Sequence, residues 1–401
     1  MSDVITIKPD FFWVGALDPN LRVFDIVMET EFGTTYNSYL LKGSEKTAIF
    51  ETVKDKFFDE FLEKVSSVCD PMQIDYIVVN HTEPDHSGSV VKLLDYAPQA
   101  IVVGSALAIK YMTQIINKPF NSLVVKEGDT LNLGNKTVKF ISVPFLHWPD
   151  SMYSYIEEDK TLVTCDSFGA HYSDGSLFRS SLADGLETDF LSAYKYYYDM
   201  IMGPFKPYVL KALDKIKDLS LDYICPGHGM VLDREYISTY MSLYKEWSLP
   251  NCRSVPSVVI PYASAYGYTG QLAEKIAAGV KAERPDLDVL VYDMVTTDFN
   301  EILSEVSMCS GLLIGSSTIV SDTVPPVWQL LTSLNATIHS GMKAGCFGSY
   351  GWSGEAITNI SERFKQLKFK TPVEPLKILF KPSEKDLQVA YEFGISFAKA
   401  L

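Results

Sequence analysis

No stretch of this chain holds the roughly 20 consecutive apolar residues that a membrane-spanning helix requires, although 47% of its residues are hydrophobic. None of its six cysteines (Cys69, Cys165, Cys225, Cys252, Cys309 and Cys346) forms a Cys-x-x-Cys pair. That excludes a zinc ribbon, a thioredoxin motif and a fused rubredoxin-type iron module. Scattered single cysteines fit a reducing compartment. The opening Met1-Ser2-Asp3-Val4 lacks the basic region of a signal peptide, so the expected location is the cytoplasm. There is no basic face for a nucleic acid to follow. The net charge is −15, of which residues 253–401 carry only −2. Histidine is scarce as well, with six in 401 residues, and only His339 lies beyond residue 228.

The scarce histidines are concentrated. Asn80-His81-Thr82-Glu83-Pro84-Asp85-His86-Ser87-Gly88 places four groups able to bind metal within six residues. Residues 74–79, Ile-Asp-Tyr-Ile-Val-Val, read as a buried strand directly before it, and α/β folds place their sites at strand ends. His81, Glu83 and Asp85 alternate, so an extended turn would point all three one way. Mixed imidazole and carboxylate suits iron, zinc or manganese better than calcium. Three more candidates follow strand-like segments: His147 after 138–143, Asp166 after 162–164, and His228 after 221–224 in Pro226-Gly227-His228-Gly229.

With 401 residues, two or three domains are expected. Residues 34–41 and 47–50 read as a hairpin, 57–68 and 106–116 as helices, and a helix opens near Ser87. Further strands are read at 102–104, 122–125 and 152–156. Mixed strands and helices in this order predict two sheets with helices outside, an αβ/βα sandwich over residues 1–252. The run Tyr194-Lys195-Tyr196-Tyr197-Tyr198 enters a helix expected to continue towards Lys215. Residues 249–256 read as a linker. A new α/β period then starts over 253–401: a strand at 257–260, a hydroxyl-rich turn and a helix at 271–280. The turn comprises Ser264, Ala265, Tyr266, Gly267, Tyr268 and Thr269. That order places backbone N–H groups and hydroxyls around an anion at a helix N-terminus. Two more buried strands are each followed by a polar loop. The first loop is Ser316-Ser317-Thr318-Ile319; the second is Ser349-Tyr350-Gly351-Trp352-Ser353-Gly354. No Gly-x-Gly-x-x-Gly follows the first strand, which argues against a dinucleotide.

The metal-binding strings resemble the metallo-β-lactamase fold, whose hydrolases usually carry His at the position of Glu83. With Glu83 there, and with Leu146-His147-Trp148-Pro149-Asp150-Ser151-Met152 and Cys165-Asp166-Ser167-Phe168-Gly169 alongside, the whole chain resembles the flavodiiron proteins, or A-type flavoproteins. The resemblance implies a metallo-β-lactamase-like diiron domain followed by a flavodoxin-like doubly wound parallel sheet binding FMN. It implies two non-haem iron ions, one held by His81, Glu83 and His147, the other by Asp85, His86 and His228, with Asp166 between them. His171 would be a pocket or supporting residue. Of the tyrosine run itself, helical spacing predicts that most members pack, with one, Tyr198, expected to line the metal pocket. The three loops of the second domain would hold FMN, with Trp352 against its ring. Tyr268 and Ser317 depart from the Asn and Pro that flavodoxins commonly have there.

The resemblance further implies a reductase of O2 to water, of NO to N2O, or of both. A two-electron flavin coupled to a two-iron centre stores the four electrons that O2 requires. A head-to-tail homodimer or a tetramer is expected, with no membrane and no nucleic acid as partner. No donor domain is attached, so electrons would come from a separate rubredoxin, a reduced deazaflavin or a similar carrier. A binuclear zinc hydrolase with a fused flavodoxin is the alternative, and Glu83 speaks against it; an electron carrier with a vacant metal site is a further one.

Overall fold

The computed structural model describes residues 3–249 and 255–401, in two compact units, Met1–Leu249 and Pro250–Leu401. The expected boundary at 252/253 and the centre of the linker lie outside the described residues.

In the first unit two sheets face each other. The first has seven strands in the order Ile5–Lys8, Phe11–Trp13, Tyr39–Lys42, Thr47–Phe50, Ile74–Val78, Ile101–Gly104 and Asn121–Val124. The second has six: Thr130–Asn132, Thr137–Ser142, Met152–Ile156, Thr161–Val163, Tyr223–Cys225 and Leu232–Asp233. Phe11, Trp13, Leu41 and Phe50 from one sheet meet Val138, Phe140, Met152 and Val163 from the other in a shared core. Helices Phe58–Val68, Val90–Tyr96 and Ala106–Ile116 cover the first sheet's outer face. Helices Glu187–Tyr197, Lys206–Ile216 and Arg234–Ser248 cover the second. This is the expected αβ/βα sandwich, in which each sheet buries one face on the other and one on helices.

Three local expectations change. Residues 34–41 are not one strand: Thr34–Tyr36 pairs with Ala16–Asp18, and Tyr39–Lys42 joins the large sheet. The break falls at Asn37, whose amide nitrogen bonds to the carbonyl of Gly227 at 2.8 Å. Helix begins earlier than Ser87, in one turn at Pro84–Ser87, because proline is accommodated in a first helical turn. The helix through the tyrosine run does not reach Lys215. It passes into a π-helical turn at Tyr198–Met202, and Gly203-Pro204 then separates it from Lys206–Ile216.

The second unit is a five-stranded, wholly parallel sheet in the order Asp288–Asp293, Ser257–Ala263, Gly311–Ser316, Lys343–Tyr350 and Leu376–Leu379. Numbered along this unit the order is 2-1-3-4-5. Helices lie on both faces, with Tyr268–Glu283 and Glu384–Lys399 together on one and Phe299–Met308, Pro325–Ser333 and Glu355–Gln366 on the other. Chain connections change direction between the first and third strands, and ligands bind at such a switch point, beyond the carboxyl ends of the strands.

Candidate metal centre and cofactor pocket

Every histidine and carboxylate read as a metal ligand lies at a strand end of the first unit, and the fold gathers all seven. His81 and Glu83 follow the strand Ile74–Val78, and Asp85 and His86 sit in the helical turn behind it. The alternation argument therefore fails for Asp85, which the turn rotates away from the other two. His81, Glu83, His147 and Asp166 form one group, and Asp85, His86 and His228 another, with ligand atoms within 4.8 Å of one another in each. Asp166 touches both groups. Its Oδ2 lies 3.0 Å from His147 Nε2 and 3.6 Å from His81 Nε2, while its Oδ1 lies 3.4 Å from His86 Nε2. Glu83 Oε2 is 2.8 Å from His147 Nε2, and Asp85 Oδ2 is 3.1 Å from His228 Nε2.

Backbone shape aims these groups. Cys165 and Phe168, on either side of Asp166, and Phe145, two residues before His147, all have positive φ; backbone strain of this kind collects at functional sites. A side chain on Gly227 would stand 3.0 Å from Asp166 Oδ1 and 3.1 Å from His86 Nε2 and would press on both ligands, so glycine lets this loop approach them closely. Asn37 braces the same loop. Its Nδ2 donates to the carbonyls of Pro226 and Gly229, both at 2.9 Å, and its Oδ1 accepts from Trp13 Nε1. His228 Nδ1 donates to the carbonyl of Thr35 at 2.5 Å, which leaves its Nε2 lone pair facing Asp85. Glu51 Oε1 accepts the Asn80 amide at 2.7 Å, and its other oxygen lies 3.9 Å behind His81 Nδ1.

The charges are interlocked. Burial opposes ionisation of Asp166, but the nearby charge of His81, the bond from His147 and the close approach of His86 hold it well below the usual carboxylate range. Glu83 is likewise held down, against burial, by His147 and His81. Burial lowers His86 and His147, yet the neighbouring carboxylates win and raise both to about 9. Even so, both ring nitrogens of His81, both oxygens of Asp85, Nδ1 of His86 and Oδ1 of Asp166 are buried without a hydrogen-bond partner. Buried polar groups are ordinarily paired. So many convergent lone pairs, imidazole with carboxylate, fit a pair of metal ions.

His171 is not in either group. It is buried, bonds through Nδ1 to Thr34 Oγ1 at 2.9 Å, and is held neutral by burial and by His228. It lines a cavity of about 230 Å³ together with Thr30, Phe32 and Ser192. The tyrosine beside it is Tyr197, one residue before the expected Tyr198: the Tyr197 ring lies 4.8 Å from His171 and 6.1 Å from His228. Tyr198 points into the helical layer, bonded to Ser248 Oγ at 2.7 Å. Sequence reasoning missed Phe24 and Asp25, at the tip of a small hairpin pairing Val23–Phe24 with Met28–Glu29. Phe24 packs 4.3 Å from His171. Partial burial and the charge of the neighbouring Glu83 raise the carboxyl of Asp25 to about 6.

In the second unit a cavity of about 590 Å³ opens at the switch point. The first loop contributes Ala265, Tyr266 and Tyr268; the second, Ser317, Thr318 and Ile319; the third, Ser349, Tyr350, Gly351, Trp352 and Ser353. Ser264, Gly267, Thr269, Ser316 and Gly354 do not line it. Gly267 and Gly354 instead take positive φ at the starts of helices Tyr268–Glu283 and Glu355–Gln366. Thr269 is buried beneath the floor, its hydroxyl 3.4 Å from Ser317 Oγ and 3.0 Å from Ser349 Oγ, tying the three loops together. Ser316 Oγ caps the carbonyl of Ser317. Ser264 Oγ and Thr318 Oγ1 are buried and unpartnered, which fits an anion that takes hydroxyl and N–H donors. Trp352 is 90% exposed, standing free at the mouth rather than packed into the protein. Val320, at the end of the second loop, completes the wall with Ser321 and Phe380, and the last two were not foreseen.

Two family models match the chain: one described as ODP family beta lactamase over residues 34–229, and flavodoxin over residues 260–394. The chain is 42% identical to the flavo-diiron protein FprA2 of Clostridium acetobutylicum, over 99% of each chain. It is 37% identical to the type A flavoprotein fprA of Rhodobacter capsulatus, over 99% of this chain and 91% of that one. Among solved structures, the rubredoxin oxygen:oxidoreductase of the anaerobe Desulfovibrio gigas matches with a TM-score of 0.69 at 30% identity, covering 99% of this chain and 98% of that one. The flavodiiron protein of Giardia intestinalis gives 0.67 at 26% identity, over 100% and 97%. Relatives this similar across nearly the whole of both units, together with a buried two-part metal site and a flavodoxin-type pocket, establish that the chain belongs to the flavodiiron proteins, a family of oxidoreductases.

Proposed function

We propose that this protein reduces O2, NO or both at a diiron centre, with electrons delivered through FMN from a separate donor. The observation that carries the reading is the ligand set itself: two buried groups joined through Asp166, with Glu83 where a hydrolase of this fold would place an imidazole. In this reading His81, Glu83 and His147 would hold one iron and Asp85, His86 and His228 the other, with Asp166 available to both. When bound, the iron pair would supply one-electron redox steps and FMN a two-electron store.

The chain's own residues set the conditions. Glu83, Asp85 and Asp166 offer three carboxylates to two metal ions, and hard, anionic oxygen favours ferric iron. Phe24, Tyr197 and the neutral His171 wall the site beside His228 without adding a charge, which suits an apolar diatomic substrate. Asp25 holds a proton at its carboxyl below about pH 6, next to Glu83, at the edge of the centre. In the second unit the backbone at Gly267 and the hydroxyls of Ser264, Thr318 and Ser317 would take the FMN phosphate, and Tyr266, Tyr350 and Trp352 the ring.

The Desulfovibrio gigas relative is titled a rubredoxin oxygen:oxidoreductase; a rubredoxin, a reduced deazaflavin or a similar carrier is the donor proposed here. We further propose a head-to-tail homodimer or tetramer in the cytoplasm, with domains dividing at 252/253. Among the described residues no helix is long and apolar enough to cross a membrane. The test is consumption of O2 and of NO by the chemically reduced, iron-loaded protein, with Glu83→His alongside. Gas consumption that collapses in Glu83→His supports the reading; inert wild-type protein overturns it.

A further inference from the structure

Buried tyrosines are unevenly placed in this chain. The two cores of the flavodoxin-like unit contain none among the described residues. The core between the second sheet and its helices contains Tyr153, Tyr194, Tyr198, Tyr240 and Tyr244, with Tyr197 beside it, each at most 1% exposed. They form a ladder with a direction. Tyr197 stands 6.1 Å from the ring of His228. Tyr194 is three residues before it on the helix Glu187–Tyr197, hence on the same face. The Tyr194 ring lies 5.7 Å from Trp247, on Arg234–Ser248, and 5.5 Å from Tyr244. Tyr198 gives a parallel branch, 5.0 Å from Tyr244 and 5.1 Å from Trp247. Trp247 is the only member of the ladder that is partly exposed. Packing alone does not explain the innermost ring. The Tyr197 hydroxyl is buried with no hydrogen-bond partner, a loss of stability that phenylalanine of nearly the same volume would avoid.

We propose that Tyr197, Tyr194 and Trp247, with Tyr198 and Tyr244 alongside, form a hole-transfer chain that carries a stranded oxidising equivalent from the metal centre to the protein surface. The inference rests on the reading of the site as one that reacts with O2. When O2 is consumed faster than the donor supplies electrons, one oxidising equivalent is left at the centre. One electron moves inward along the ladder and reduces it. The buried rings pass the electron on and end unchanged. Trp247 ends short of one electron and, through its indole N–H, one proton, which water takes up; the neutral radical is then restored by an external thiol or ascorbate-type reductant. Without the chain, the equivalent would be spent on oxidisable groups beside the centre, among them the ligands, Cys165, Trp148 and Tyr197.

Hydrogen peroxide tests the chain without requiring O2 turnover. Iron-loaded, oxidised protein is mixed with peroxide and no reductant, freeze-quenched for EPR, and mapped by peptide mass spectrometry. The chain predicts a tryptophanyl radical and oxidation concentrated at Trp247 rather than at Trp352, which is more exposed and reports attack from solution. Metal-free protein should lack both signals. Trp247→Phe should abolish the tryptophanyl signal, shift oxidation to Tyr194, Tyr197 and the ligand peptides, and raise iron loss per peroxide added several-fold. Tyr194→Phe, with the ring retained, should lower Trp247 oxidation. Oxidation confined to ligand peptides in the wild type, or equal at Trp247 and Trp352, would overturn the chain. A Trp247 radical in a protein that consumes no O2 would leave the chain standing and remove O2 as the substrate.

Discussion

His147 Nε2 lies between two carboxylates, 2.8 Å from Glu83 and 3.0 Å from Asp166. In the metal-free protein it is an ion-pair partner; in the loaded protein the same nitrogen must give up its proton to bind metal. With His147 and His86 both raised to about 9, each carries a proton at pH 7 that a metal displaces. Metal addition to the apo-protein at pH 7 should therefore release protons. Apparent affinity should rise with pH and level off above about 9. A pH-stat titration with ferrous iron or zinc measures both; proton-neutral binding would show that these histidines are already neutral.

The same shifts fix the stability of the apo-protein. A histidine raised from its ordinary value near 6.5 to about 9 stabilises the fold fully below 6.5, and that contribution is lost as pH rises through 9. The depressed Asp166 and Glu83 stabilise above the ordinary carboxylate range, and theirs is lost on acidification. The Tm of apo-protein should therefore be highest between about pH 5 and 6.5 and fall towards pH 9. Calorimetry across that range, with loaded protein as the reference, should show the alkaline fall in the apo form only.

Asn37→Ala should weaken the metal site without removing a ligand. It strips one of two donors from each of the carbonyls of Pro226 and Gly229, which keep Tyr39 and Thr35, and it frees the indole N–H of Trp13. Outer-sphere losses of this kind reduce metal affinity by about 10–100-fold, and unsatisfied buried groups cost about 1–3 kcal/mol each. Competition with a chelator reads the first effect and thermal unfolding the second. Unchanged affinity would mean that the His228 loop holds its shape without Asn37.

Thr269→Val keeps the volume and deletes the hydroxyl that links Ser317 to Ser349. The three loops should lose their common tie, with FMN affinity falling by about tenfold, equivalent to ~1.4 kcal/mol. Metal content should be unchanged. Quenching of FMN fluorescence on titration into deflavinated protein measures this directly.

What the sequence disclosed divides along a physical line. His81, Glu83, Asp85 and His86 stand together on the chain, and local density revealed them. His147, Asp166 and His228 were found because each follows a strand-like segment. Asn37 was hidden inside what reads as a continuous strand, because its role depends on a loop nearly 200 residues away. Phe24 and Asp25 were missed because a two-residue strand has no periodic signature. Tyr197 was displaced by one residue in favour of Tyr198, since both faces of the tyrosine run are aromatic. In the second unit the three loops announced the pocket through their strands and hydroxyls, whereas Phe380 reaches it from the end of Leu376–Leu379, a segment with no comparable signal.

The most direct test of the account is the metal and flavin content of protein purified anaerobically from iron-sufficient medium. The account predicts two iron ions and one FMN per chain, with the iron pair magnetically coupled through the Asp166 carboxylate. Zinc retained at both positions would contradict it and favour a hydrolase.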